Sequence, residues 1–131
     1  MLIYACHCSD CQKATGSAFV LSMRVPPGRI TCHRGEAKSY ERSREDGRKK
    51  NVFRCPQCLT ALWSENLGPS DYVTVYAGTL DNAVQLPEPA HLWTVDAQPW
   101  ITLPKDALIF SKGPPDLGEL ARVWLARSKS A

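Results

Sequence analysis

The cysteines constrain this chain more than any other feature. Cys6-His7-Cys8-Ser9-Asp10-Cys11 sets a C-x-C-x-x-C arrangement into six residues, and Cys55-Pro56-Gln57-Cys58 answers it downstream with a C-x-x-C pair. Five of the six cysteines lie in these two clusters. Met1-Leu2-Ile3-Tyr4-Ala5 contains no basic segment followed by a long apolar stretch, so no signal peptide is read and a cytoplasmic setting is expected. Clustered thiols in such a setting read better as metal ligands than as disulfides. Turns this tight suit sulfur ligands about 2.3 Å from one zinc, and the metal keeps the thiols ionised near neutral pH.

Five cysteines cannot fill two closed four-ligand sites. Either one four-cysteine site combines Cys55 and Cys58 with two of Cys6, Cys8 and Cys11, or an open three-cysteine site coexists with an incomplete knuckle. A purely structural zinc accounts for the spacing as well as a catalytic one does. A redox C-x-x-C is disfavoured because no βαβ context surrounds it. Cys32 stands alone in a strand-like stretch and reads as a small buried hydrophobe. His7 is expected behind the ligands or at the surface, and His33 is expected to be exposed. His91 is left open by the spacing alone.

At 131 residues the chain fits one domain with a real core. No apolar run is long enough to span a membrane. A net charge of +3, with no basic face interleaved with aromatics, argues against a nucleic-acid partner. Much of the positive charge falls between Arg42 and Arg54, interrupted by Glu45 and Asp46. That stretch is expected to be a solvated hairpin tip, with a basic groove for an anion as the minority reading.

Ten prolines and eight glycines break the chain into short pieces. Strands are expected at Phe19–Val25, Lys38–Arg42, Lys50–Arg54, Ala61–Ser64, Tyr72–Gly78, His91–Thr94 and Trp100–Leu103, with a hairpin turn at Glu45-Asp46-Gly47. Ser9–Ala14 suits a short helical turn, and Pro115–Ala126 alone has helical spacing, with Leu117, Leu120, Val123 and Trp124 on one face. The segment before Cys6 offers no structure to support the cluster. The pattern predicts a mainly β domain over residues 1–110 and a tail or short helix over 111–131. Trp63, Trp93 and Trp100 are expected in the core.

Cys6 to Phe19 (CHCSDCQKATGSAF) resembles the signature of the glutathione-dependent formaldehyde-activating family, also called the CENP-V/GFA domain. Phe53 to Leu62 (FRCPQCLTAL) is similar to that family's F-C-x-x-C-G-T-x-L block. Val75 to Asp81 resembles its strand with a G-x-L-D turn, and Pro89-Ala90-His91-Leu92-Trp93 with Gln98-Pro99-Trp100 resembles its P-x-x-H-[IL]-W … P-W close. The match runs in order from about Tyr4 to Leu103.

The resemblance implies a β-tent of stacked short antiparallel sheets with zinc at their junctions. It implies a catalytic-type Zn2+ on Cys6, Cys8 and Cys11, and a structural zinc shared by Cys55, Cys58 and an upstream C-x-C-G. The implied activity joins formaldehyde to glutathione to give S-hydroxymethylglutathione, formally a carbon–sulfur lyase run backwards. Two departures stand out. No C-x-C-G precedes the first cluster, so either an upstream segment is absent, or the structural zinc is shared among the remaining cysteines or held across a homodimer. Leu59 stands where the family has Gly, at a turn that favours left-handed backbone. The expected partners are a glutathione-like thiol and an aldehyde, the thiol's carboxylates meeting Lys13, Arg24 or Arg48. Ser9, Asp10, Gln12 and Thr15 either touch sulfur or substrate or cap local backbone. The alternative is a non-catalytic, zinc-stabilised binding module.

Overall fold

The computed structural model describes residues 1–129. At its centre is β1 (Leu2–Cys6), all five of whose residues are buried. Its continuous Leu-Ile-Tyr-Ala-Cys run, without polar alternation, is what a strand covered on both faces requires. β1 pairs antiparallel with β2 (Val20–Val25), placing Cys6 opposite Val20, and parallel with β7 (Ala90–Leu92), placing Cys6 opposite Leu92. The segment expected to leave the cluster unsupported is therefore the middle of the core. Each fully buried aliphatic side chain here, Leu2 and Ile3 among them, contributes about 1.5–3 kcal/mol.

Beyond β2 the sheet continues through β6 (Val73–Tyr76), β5 (Ala61–Asn66), β4 (Lys49–Arg54) and β3 (Lys38–Ser43). The order β3-β4-β5-β6-β2-β1-β7 is antiparallel except at β1–β7. The mainly β expectation holds, with the strands joined in one continuous seven-stranded sheet. Phe53 and Trp63 face each other across β4 and β5 with their rings stacked 4.6 Å apart. The β3–β4 hairpin turns where read: Arg44 N–H donates to Arg48 O at 2.7 Å, and Gly47 adopts φ +83°, which a side chain would resist.

Two α-helices complete the fold of the described residues. α1 (Ser9–Thr15) follows β1 directly and stops at Gly16 in the left-handed region. α2 (Leu117–Ser128) starts two residues later than its periodicity suggests, because the Asp116 carboxylate caps it by accepting from the Gly118 and Glu119 N–H groups. Leu120 and Trp124 of α2 are buried against the β1 cluster, and Trp124 Nε1 donates to Glu88 O at 2.8 Å.

Three expectations are corrected. Trp100 is not a core residue but 73% exposed, and Trp100–Leu103 forms no strand, since prolines at 99 and 104 bracket it too closely for pairing. Cys32 is exposed in the loop between β2 and β3, where no strand forms to bury it. The tryptophan that fills the core is Trp124, while Trp63 and Trp93 are half-buried.

Candidate functional site

Cys6 ends β1, Cys8 occupies the N-cap of α1, and Cys11 lies in the first turn of that helix. A strand running directly into a helix thus gathers all three sulfurs at one helix N-terminus. Cys8 Sγ accepts from the Cys11 N–H at 3.4 Å, and Cys6 Sγ lies 3.5 Å from Cys8 Sγ. All three Sγ atoms fall within 4.8 Å of one another. Three sulfurs on a tetrahedral zinc would stand about 3.8 Å apart, so the set fits such an ion with little rearrangement. All three are free thiols, and together they could hold a metal ion. They form the one such group of three or more metal-capable side chains among the described residues.

Proximity splits the three thiols electrostatically. Hydrogen bonds from Cys11 and then Cys6 pull the Cys8 thiol down to about 2. Cys6 is pushed far up by its hydrogen bonds to Cys11 and Cys8 and by burial. Cys11 is pushed up to about 11: its bond with Cys6 acts downward, but its bond with Cys8, burial and the charge on Cys8 outweigh it. The helix N-terminus also favours negative sulfur.

A cavity of about 270 Å³ opens beside the cluster, and Cys6 and Cys11 line it. Five cations, Arg24, Arg42, Arg44, Arg48 and Lys50, line it too, and no carboxylate among the described residues does. The hairpin tip itself is solvated as expected, residues 45–49 being exposed, while Arg42, Arg44 and Lys50 beside it join Arg48 in the basic wall that was the minority reading. Its signal was readable: Arg42 and Arg44 are two residues apart, as are Arg48 and Lys50, and Arg42 pairs with Lys50 in the ladder. Arg42 is held by Asp10, and Arg48 by Asp46. Arg24 lies 3.5 Å over the Tyr72 ring. Neither Arg24 nor Lys50 has a carboxylate partner within 4.0 Å among the described residues. Burial pulls the Lys50 ammonium below its usual range.

The residues flanking the cluster brace it rather than face the cavity. Asp10 is buried and takes both nitrogens of Arg42, at 3.0 and 2.7 Å. Gln12 Nε2 donates to His7 O at 2.6 Å and to Asp96 O at 2.7 Å. Ser9 Oγ donates to Glu45 at 3.1 Å, and Thr15 Oγ1 donates to Cys11 O at 2.9 Å. Lys13 pairs with Glu45 outside the cavity, so it is not part of the basic wall. His7 is fully buried, and its ring Nε2 lies 3.0 Å from Nδ1 of buried His91. Burial holds both imidazoles below their ordinary range. Their pairing joins residues that no local pattern relates.

Cys55 and Cys58 lie on the turn between β4 and β5, where Leu59 N–H donates to Cys55 O at 2.9 Å in a knuckle. Cys58 is exposed, 3.1 Å from Thr60 Oγ1, and that contact leads the lowering of its thiol. Leu59 adopts φ +60°, so the left-handed turn persists without glycine. Cys32 shares a surface groove with Cys55. His33 is exposed, as expected.

Among the described residues no helix is long and apolar enough to cross a membrane. Comparison with known protein families matches residues 1–96 to the family described as "glutathione-dependent formaldehyde-activating enzyme". A search of curated proteins finds no match.

Proposed function

From the premise that this chain belongs to the glutathione-dependent formaldehyde-activating family, we propose that it is a zinc-dependent carbon–sulfur lyase-type enzyme acting on thiol–aldehyde adducts. Cys6, Cys8 and Cys11 are its catalytic zinc ligands. Cys55 and Cys58 would supply two ligands of the separate, structural zinc that the family implies, and no further metal-capable side chain joins them in a group of three among the described residues. The observation that carries the reading is the meeting of three sulfurs within 4.8 Å of one another with a cavity whose walls are basic.

Cys6, Cys8 and Cys11 would hold the zinc, which when bound would make a substrate thiol easier to ionise. The chain's own residues do the rest. Cys6 and Cys11 face the cavity, so a ligand in it reaches the open side of the cluster. Arg24, Arg48 and Lys50 line the same space and receive the carboxylates of a glutathione-like thiol, which fixes the sulfur's direction of approach. Buried Tyr4, Val20 and Leu92 form the adjoining wall. In the addition, the thiolate sulfur bonds to the aldehyde carbon and the carbonyl π pair moves to oxygen. The proton lost by the thiol ends on that oxygen, giving R–S–CH2–OH from R–SH and formaldehyde with no net oxidation. Orientation is asked to supply more of the rate than polarisation, because a zinc held by three thiolates would be a weak Lewis acid.

The test is adduct formation followed by NMR with glutathione and formaldehyde, alongside zinc analysis of the purified chain. The reading expects a rate above the spontaneous reaction, lost in Cys8→Ser while the fold survives. A zinc-loaded wild type with no rate above background would leave the zinc-stabilised binding module as the better account. A folded, metal-free protein would remove the catalytic zinc from it.

A further inference from the structure

Cys6 and Cys8 are separated by one residue, and successive side chains of an extended segment point to opposite faces. The two sulfurs face the cluster, and His7 between them points into the core with no exposed surface. Whatever holds the His7 ring therefore sets the direction of both sulfurs.

Among the described residues the ring has one polar contact. Its Nε2 lies 3.0 Å from His91 Nδ1, while Nδ1 of His7 is buried with no hydrogen-bond partner among those residues, and the Phe19 ring packs 5.2 Å away. Buried orphan donors are rarer than buried orphan acceptors. His7 is accordingly assigned the Nε2–H tautomer, donating to His91 Nδ1, which leaves its orphan nitrogen an acceptor.

His91 is itself rigidly seated. Its N–H donates to Leu108 O at 2.7 Å, and its carbonyl accepts from Phe110 N–H at 2.9 Å, bridging β7 to the 108–110 segment. His7 N–H donates to Leu92 O at 2.9 Å, so main chain and side chain of His7 are both tied to β7. Two apolar rings would fill the same space without burying polar nitrogens. A hydrogen-bonded pair contributes direction, which apolar packing lacks.

We propose that His91 is a positioning residue for the Cys6/Cys8/Cys11 centre, acting through His7 to hold the C-x-C segment with its sulfurs turned toward a shared metal ion. This rests on the reading of the cluster as a metal centre. The strut runs from the 108–110 segment through His91 and His7 to the two sulfurs. Asn at 91 offers an acceptor near the place of Nδ1; Leu offers none.

The experiment measures Zn2+ affinity by competition with a chromophoric chelator, and the thiolate-to-metal charge-transfer band of the Co2+-loaded chain. Wild type, His91→Asn, His91→Leu and His7→Leu are compared, each checked for folding by near-ultraviolet circular dichroism. Affinity is expected to fall about tenfold or more in His91→Leu and His7→Leu, with an altered cobalt band, and to recover in His91→Asn. If His91→Leu is folded and binds as wild type does, or if Asn and Leu are equally impaired, the positioning role is wrong and the metal centre stands. Should His91→Leu fail to fold, recovery or loss in His91→Asn decides the matter. A wild type that binds neither metal at these thiols overturns the metal-centre reading and this proposal with it.

Discussion

Asp10 and Arg42 lock the cysteine helix to the far hairpin: Arg42 Nη2 lies 2.7 Å from Asp10 Oδ1 and 3.0 Å from the Asp10 carbonyl oxygen. Arg42 Nη1 meets the other carboxylate oxygen at 3.0 Å. The pair does two things at once. It anchors α1, which carries Cys11, and it turns part of a basic strand inward, where it becomes cavity wall. Arg42→Met removes the hydrogen-bonding partner of a buried carboxylate and leaves it only Arg44, 3.6 Å away, so a loss of about 2–3 kcal/mol is expected in urea unfolding. The double variant with Asp10→Leu should recover part of it; a purely additive double variant would show that the two side chains are not coupled.

Leu59 and Trp93 share φ +60°, a left-handed conformation that burdens residues with a Cβ. Their contexts differ. Leu59 is exposed on the knuckle, so Leu59→Gly removes strain and little packing, and should stabilise by roughly 0.5–1 kcal/mol, seen as a higher Tm. Trp93 lines the cavity, so Trp93→Gly should destabilise despite the same relief. A Leu59→Gly variant less stable than wild type would contradict the strain argument.

Burial holds His7 and His91 below the ordinary histidine value of 6.5. As pH falls through 6.5 the unfolded chain takes up protons that the folded chain still refuses. Stability is therefore full above that value and declines below it. Urea midpoints measured in EDTA, so that metal release does not contribute, should fall between pH 7 and pH 5 in the wild type. The decline should become shallower in the His7→Phe/His91→Leu double variant; an unchanged slope would place the titration elsewhere.

Lys50 and Arg24 are the cavity's cations without carboxylate partners among the described residues, and they should bear most of the recognition of an anionic thiol. S-methylglutathione cannot offer a thiolate, so its binding reports on the basic wall alone. Lys50→Gln or Arg24→Gln should weaken it about tenfold, roughly 1.4 kcal/mol, and added salt should weaken the wild type as well. Lys13→Gln should change nothing, since Lys13 lies outside the cavity. Calorimetric titration distinguishes these outcomes.

Trp124 fills the core from α2 and is 3% exposed. Trp124→Ala should cost about 3–5 kcal/mol. A substitution that left the urea midpoint in place would mean that α2 adds nothing to the domain it covers.

The local pieces were legible. Pro and Gly mark the strand ends, Asp46-Gly47 marks the hairpin, and the C-x-C-x-x-C spacing puts three thiols into one strand-to-helix junction. Two errors have a common source. Trp100 was expected inside and Cys32 in a strand, because an apolar residue with β-forming neighbours reads as buried whether or not a partner strand exists.

What the order of residues determined by itself is therefore the donor set: Cys6, Cys8 and Cys11 meet because six consecutive residues leave their sulfurs little choice. The cavity, the pairing of His7 with His91 and the grip of Arg42 on Asp10 were decided only by the tertiary structure. Each depends on a register between strands far apart in the chain, and sheet register is set by the burial of whole faces. That is why a chain can display its ligands openly while concealing what they face.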